Sequence, residues 1–242
     1  MYYGYGYGLL TGLRWDWTYL LILAGALICL IASARMRSTY NQYAQYRSLS
    51  GMTGAQAAER ILLSQGIRDV RVVHISGNLN DHYDPRSRTL SLSDATYGSA
   101  SVAAVGVAAH ECGHAVQHAT GYAPLQIRGS LVPVANFGSM LSWPLIIIGL
   151  FLNRQTVGPI ILQVGIILFS LVVLFQLVTL PVEFNASNRA MKVLRSESIL
   201  QEEELVYTRK VLTAAALTYV AGAAASVLQL LRILLIANGR RD

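Results

Sequence analysis

Four long apolar runs constrain this chain more than anything else in its sequence: residues 19–34, 131–152, 157–180 and 211–237. Each comes close to or exceeds the length with which an α-helix crosses a hydrocarbon layer about 30 Å thick, and no charge interrupts the first three. The fourth is alanine-rich, which suits close helix packing, and its Arg232 must reach the interface or find a partner. Only Asn153, Arg154, Gln155 and Thr156 separate the second and third runs, so those helices form a tight hairpin, the second broken by Pro133 and Pro144. With 53% hydrophobic and 13% charged residues, the composition agrees on a mainly helical integral membrane protein.

Charge sets the expected orientation. Arg35 and Arg37 follow the first run directly, and most lysines and arginines fall in 35–128 and 183–210, stretches separated by an even number of crossings. The positive-inside tendency puts both stretches in the cytoplasm and the amino terminus outside, with Arg240 and Arg241 opposing if the fourth helix spans. Trp15, Trp17 and Tyr19 form an interfacial aromatic belt. No small-residue cleavage site precedes the basic flank, so the first run reads as a retained anchor rather than a signal peptide. The net charge of +6 is scattered around the apolar runs, not gathered into a stripe, which argues against a nucleic-acid partner. Two cysteines, Cys29 and Cys112, offer no disulfide framework.

The expected organisation is a Tyr/Gly-rich segment 1–18, a first span 19–34, a cytoplasmic α+β domain over 35–130, spans 131–152 and 157–180, a cytoplasmic helical segment 181–210, a fourth span 211–237 and a tail 238–242. Within the α+β domain, residues 55–63 have helical apolar spacing closed near Gly66, while 70–75 and 89–93 read as strands. Asp84, Pro85, Arg86 and Ser87 suit a type I turn. A helix over 99–119 follows, stopped by Gly121 and Pro124.

That helix carries His110-Glu111-Cys112-Gly113-His114, an H-E-x-x-H pattern. Residues four apart emerge on one helix face about a turn apart, which is what two imidazole ligands of a tetrahedral zinc require. Glu111 lies about 100° round from His110, near enough to serve as base without being forced to ligate. Zinc lowers the pKa of water towards ~7, and a neighbouring carboxylate can take the proton as the water attacks a carbonyl carbon. The spacing thus points to peptide hydrolysis.

A catalytic zinc takes a third protein ligand and keeps one position open. His118 continues the spacing, but on a straight helix it stands ~12 Å along the axis from His110, whereas ligands of one zinc are about 4 Å apart at most. The extended motif with a third histidine needs glycine where Gln117 stands and histidine at Thr120. No Asp or Glu occurs between Glu111 and Glu183, and the hairpin returns the chain to the same membrane face, so Glu183 is the expected third ligand. A helix-start carboxylate is the alternative role for Glu183; Glu197 and Glu202 to Glu204 read as a solvated face.

The stretches Asn80-Asp81-His82-Tyr83-Asp84-Pro85, Ala108 to Ala115 with Gln117 and His118, and Leu180-Pro181-Val182-Glu183-Phe184-Asn185-Ala186-Ser187 resemble the YugP-type membrane zinc metallopeptidases. That family is similar in turn to the HtpX-like, gluzincin-like proteases. The resemblance implies one zinc ion per chain on His110, His114 and Glu183, Glu111 as base, a polypeptide substrate, and a multi-pass protein of the bacterial plasma membrane with its site facing the cytoplasm. The wider group commonly has an aspartate four residues after the ligand glutamate to support a histidine; here Ser187 stands there. Cys112 replaces a small apolar residue and reads as an inert buried thiol.

Four further expectations are weaker in signal. His82 and Arg189 are candidates for holding the oxyanion or substrate, His118 for a supporting place, and strand 89–93 for an edge that an extended substrate joins. Rival readings are a site-2-type intramembrane protease and a catalytically silent zinc-binding membrane scaffold. The first draws its third ligand from an aspartate-glycine motif that is missing here, and the second has no need of Glu111. Homo-oligomers or membrane-protein partners are left open.

Overall fold

The computed structural model describes residues 17–152 and 156–238. The Tyr/Gly-rich segment before Trp17 with Trp15, the hairpin turn 153–155, and tail residues 239–242 lie outside the described residues. In order, the elements are α1 (Tyr19–Tyr43), α2 (Gly54–Ser64), β1 (Arg71–Ile75), β2 (His82–Asp84), β3 (Thr89–Ser93), α3 (Asp94–Tyr97), α4 (Val102–Ala119), α5 (Ala123–Phe151), α6 (Gly158–Ser196) and α7 (Glu202–Asn238). Helices α1, α5, α6 and α7 are long and apolar enough to cross a membrane. Leu20, Leu23, Leu27 and Leu30 on α1 are exposed, a display of apolar surface that water does not tolerate and lipid does.

All four long helices outrun their apolar segments. Helix α1 continues through Arg35 and Arg37 to Tyr43, and α6 passes through Pro181 to Ser196. The third apolar run and the first half of 181–210 are therefore one rod, and α7 begins at Glu202, well before its apolar run. Pro133 and Pro144 do not break α5, because a break inside lipid would strand backbone N–H and C=O groups. Pro124, expected to help stop the motif helix, sits in the first turn of α5, where its missing N–H has no intrahelical partner to lose. Helix α4 starts at Val102 rather than residue 99, because the Ser101 side chain caps it by accepting from the Ala104 N–H.

The sheet has the order β1-β3-β2, with β1 parallel and β2 antiparallel to β3. Strand 89–93 is thus central and offers no edge to a substrate, a correction that follows from β2. Three residues are too few to show a period of two, and only pairing with β3 reveals β2 as a strand. The Asp84 carboxylate accepts from the Arg86 and Ser87 N–H groups and shapes the β2–β3 turn.

One apolar core joins the polar stretches. Ile61 and Leu62 of α2, Leu90 and Leu92 of β3 and Val105 and Ala109 of α4 pack with Ala190 and Leu194 of α6 and Leu205 and Leu212 of α7. Helices α1 and α7 run antiparallel: Gly25 packs against Ala225, and Tyr43 stacks on Tyr207 with centroids 5.1 Å apart. Arg232 finds its partner in the Tyr19 ring, 4.5 Å from guanidinium carbon to centroid. Helix α4 meets α6 backbone to backbone, because a Cβ on Gly113 would stand only 2.5 Å from the Ala186 carbonyl oxygen. Gly113→Ala should force the two helices apart, lowering stability by about 1–3 kcal/mol; thermal unfolding of the detergent-purified variant measures it.

Candidate metal centre

The α4–α6 contact sets the chemistry beside it. His110 and His114 leave α4 one turn apart, with ring centroids separated by 4.8 Å, and Glu183 comes down from α6 between them. Glu183 Oε2 lies 3.2 Å from His110 Nε2 and 3.6 Å from His114 Nε2. One ligand atom from each residue falls within 4.8 Å of the others, and His114 and Glu183 are buried. Ligands of one zinc stand up to about 4 Å apart, so small side-chain adjustments close this group around a cation. Two imidazoles and a carboxylate are also a donor set that catalytic zinc takes, and the residues fit the ion.

Each imidazole is held from behind. His110 Nδ1 lies 3.0 Å from Ser187 Oγ, one turn beyond Glu183 on the same helix. His114 Nδ1 lies 3.0 Å from Gln117 Oε1, an acceptor, so Nδ1 carries the proton and Nε2 keeps its lone pair for a metal. Gln117 in turn donates to the Val182 carbonyl at 2.8 Å and to Asn185 Oδ1 at 3.0 Å, tying α4 to α6 at the site. Burial opposes charging of His114, but its hydrogen bond with Glu183 and the nearby Glu111 and Glu183 charges outweigh that, and its pKa lies above the ordinary 6.5. Burial raises the Cys112 thiol well above its usual range, with the Glu111 charge adding to the effect, as an inert side chain requires.

A cavity of about 450 Å³ opens onto this group. Glu111 and His114 of α4, Glu183 of α6, Arg128 of α5, Tyr219 of α7 and His82 and Tyr83 of β2 all line it. His118 lines it too, away from the ligand group, with its Nδ1 2.8 Å from the Tyr83 hydroxyl. His82 reaches the rim, and its Nδ1 contacts the Asn80 carbonyl at 2.9 Å. Arg189 is not brought to the cavity: its Nε donates to Asn185 Oδ1 at 2.8 Å and its guanidinium lies over the Tyr122 ring. One and a half turns beyond Glu183, it lies on another side of α6. The cation actually beside Glu183 is Arg128, Nη1 to Oε1 3.3 Å. Sequence reasoning missed Arg128, Tyr219 and Asn185, which carry no spacing signal; Gln117, three residues after His114, was findable as a helix-face neighbour.

Among the described residues, four helices long and apolar enough to cross a membrane, with a His-His-Glu group that could hold a metal ion beside a cavity, fit a membrane protein of metalloenzyme type. A family model described as "Putative neutral zinc metallopeptidase" matches residues 18–238, and the chain belongs to that family. It is also 45% identical over 212 residues to "Putative membrane protease YugP" of Bacillus subtilis (strain 168), covering 87% of this chain and 92% of that protein. No solved structure matches.

Two outcomes follow from this geometry. Ser187→Ala should weaken zinc binding about 10–100-fold, as loss of a ligand's hydrogen-bond partner does, and Ser187→Asp should restore it; competition with a chromophoric chelator reads both. Because the raised pKa of His114 lets protons compete with metal, the zinc dissociation constant should begin to rise on acidification above pH 6.5. Metal titration across pH 5 to 8 tests this, and Gln117→Leu should change the midpoint.

Proposed function

We propose that this chain is a membrane-embedded zinc endopeptidase in which His110, His114 and Glu183 hold one zinc ion and Glu111 is the general base. The convergence of those three donors within 4.8 Å carries this reading, with Glu111 beside them on the wall of a cavity large enough for a peptide segment. Zinc held by this set supplies Lewis-acid polarisation of a carbonyl and makes water acidic near neutral pH. The Glu111 carboxylate accepts a proton from the attacking water as its oxygen bonds to the carbonyl carbon. It then hands that proton to the amide nitrogen as the C–N bond breaks. Ser187 and Gln117 fix the imidazoles, and the Arg128 guanidinium pairs with the second carboxylate oxygen of Glu183.

Strand β2 is paired only with β3 among the described residues, so its outer side is open, and His82 and Tyr83 line the cavity. An extended polypeptide joining β2 by main-chain hydrogen bonds passes over Glu111. At 1.5 Å per residue, Glu183 lies about 38 Å along α6 from Gly158, beyond a hydrocarbon layer of about 30 Å. Cleavage at the membrane boundary, of membrane or membrane-proximal proteins, is therefore favoured over the site-2-type reading. The basic residues of 35–128 and 183–210 support a cytoplasmic position for the site and the α+β portion around it. A silent scaffold is disfavoured by the position of Glu111 on the cavity wall.

Glu111→Gln should keep zinc and lose casein cleavage by at least about 100-fold, the scale of positioned acid–base catalysis, whereas His110→Ala and Glu183→Ala should lose the metal. Elemental analysis paired with the cleavage assay on purified protein checks both, and activity surviving Glu111→Gln would end this mechanism.

A further inference from the structure

A second groove opens between α1 and α7, away from the cavity. Arg35, Arg209 and Lys210 line it together with Thr39, Gln42 and Thr213, it encloses about 310 Å³, and its walls contain no carboxylate. Its height relative to the membrane follows from the sequence. Arg35 is the first charge after the apolar run 19–34, and Arg209 and Lys210 are the last before the run 211–237. Because α1 and α7 pair antiparallel, through Gly25 with Ala225 and Tyr43 with Tyr207, Arg35 stands roughly 8 Å along the axis on the apolar side of Arg209 and Lys210. The three long side chains line one groove where both apolar runs end. At that level hydrocarbon gives way to headgroups.

These cations are short of partners. Among the described residues the Arg35 and Arg209 side chains make no ion pair or hydrogen bond, and the Lys210 ammonium donates to the Tyr43 hydroxyl at 3.1 Å and lies 5.6 and 5.9 Å from the Tyr43 and Tyr207 ring centroids, with no anion beside it. Like charges gathered in one groove repel unless an anion joins them. On the hydrocarbon side of them the seam turns apolar, with exposed Ile28 and Ile31 on α1 and exposed Leu217 and Val220 on α7. A phospholipid has that same order of parts, an anionic phosphate and then an acyl chain.

We infer that this groove binds an anionic phospholipid, its phosphate between Arg35, Arg209 and Lys210 and one acyl chain along the α1–α7 seam. Basic pockets between membrane-crossing helices bind anionic headgroups for the same electrostatic reason. Occupancy there neutralises the repulsion and clamps α1, whose other contacts are few, onto α7. The site is independent of the peptidase reading and rests only on the membrane placement of α1 and α7.

The full chain in nanodiscs of phosphatidylcholine, with and without phosphatidylglycerol, tests this by native mass spectrometry and thermal unfolding. Phosphatidylglycerol should be retained and raise the unfolding temperature. R35Q/R209Q/K210Q should weaken its retention on the order of 100-fold, while R68Q/R71Q/R86Q, which removes the same charge from exposed positions elsewhere, should leave it unchanged. Should the triple variant fail to fold, Arg209→Gln alone should still lower retention several-fold. Unchanged retention in the groove variants, or equal loss in the control, overturns the site. An equal thermal shift from inorganic phosphate in pure phosphatidylcholine nanodiscs overturns the lipid assignment.

Discussion

The contact between Gly113 and Ala186 is the constraint on which the rest of the structure depends. Two helix axes usually stand 8–10 Å apart because side chains keep them there. With no Cβ on Gly113, the α4 backbone reaches the Ala186 carbonyl, and Glu183, one turn before Ala186, arrives level with His110 and His114. A charged carboxylate that is only 2% exposed is tolerable only when paired, and two imidazoles and the Arg128 guanidinium supply that pairing. The glycine inside the metal motif is thus a packing residue with a chemical consequence.

Length does the second part of the work. Helix α6 has 39 residues and α7 has 37, about 58 and 55 Å at 1.5 Å per residue, so each is long enough to cross about 30 Å of hydrocarbon and still project well beyond it. The projecting ends provide walls for the α+β portion, whose core would otherwise lack one side: Leu194 of α6 and Leu205 of α7 pack with Leu90, Leu92 and Val105. The apolar segment of α6 and Glu183 belong to one continuous helix, so the candidate span and the site share a single element. Pro181 does not interrupt α6, which continues past it to pack Ala190 and Leu194 into that core.

Much of this was legible in the residues. The four apolar runs mark the four helices long and apolar enough to cross a membrane, because a hydrocarbon layer demands a length of apolar side chains that few soluble elements need. The spacing of His110 and His114 places them on one face, since helical geometry is local. Helix α2 was equally readable, its capping box of Thr53 and Gln56 and its left-handed Gly66 being properties of adjacent residues. Helix ends were read short wherever polar residues follow apolar ones, as at Arg35 and Pro181, because hydropathy reports what surrounds a helix and not where its hydrogen bonds stop. Arg189 lies near Glu183 along the chain, whereas Arg128 is near it only in space, where no sequence spacing points to it.

The sequence by itself determined four runs long and apolar enough for membrane-crossing helices, the helical pairing of the two histidines and, by the lack of any other carboxylate between Glu111 and it, the candidacy of Glu183. Those properties depend on composition and on spacing within a turn or two. Only the tertiary structure decided that strand 89–93 is central, that β2 borders the cavity, and that Gln117, Arg128 and Tyr219 gather around the histidines and Glu183. These residues come from different elements, and contacts between them arise from how helices approach one another, which no local pattern encodes.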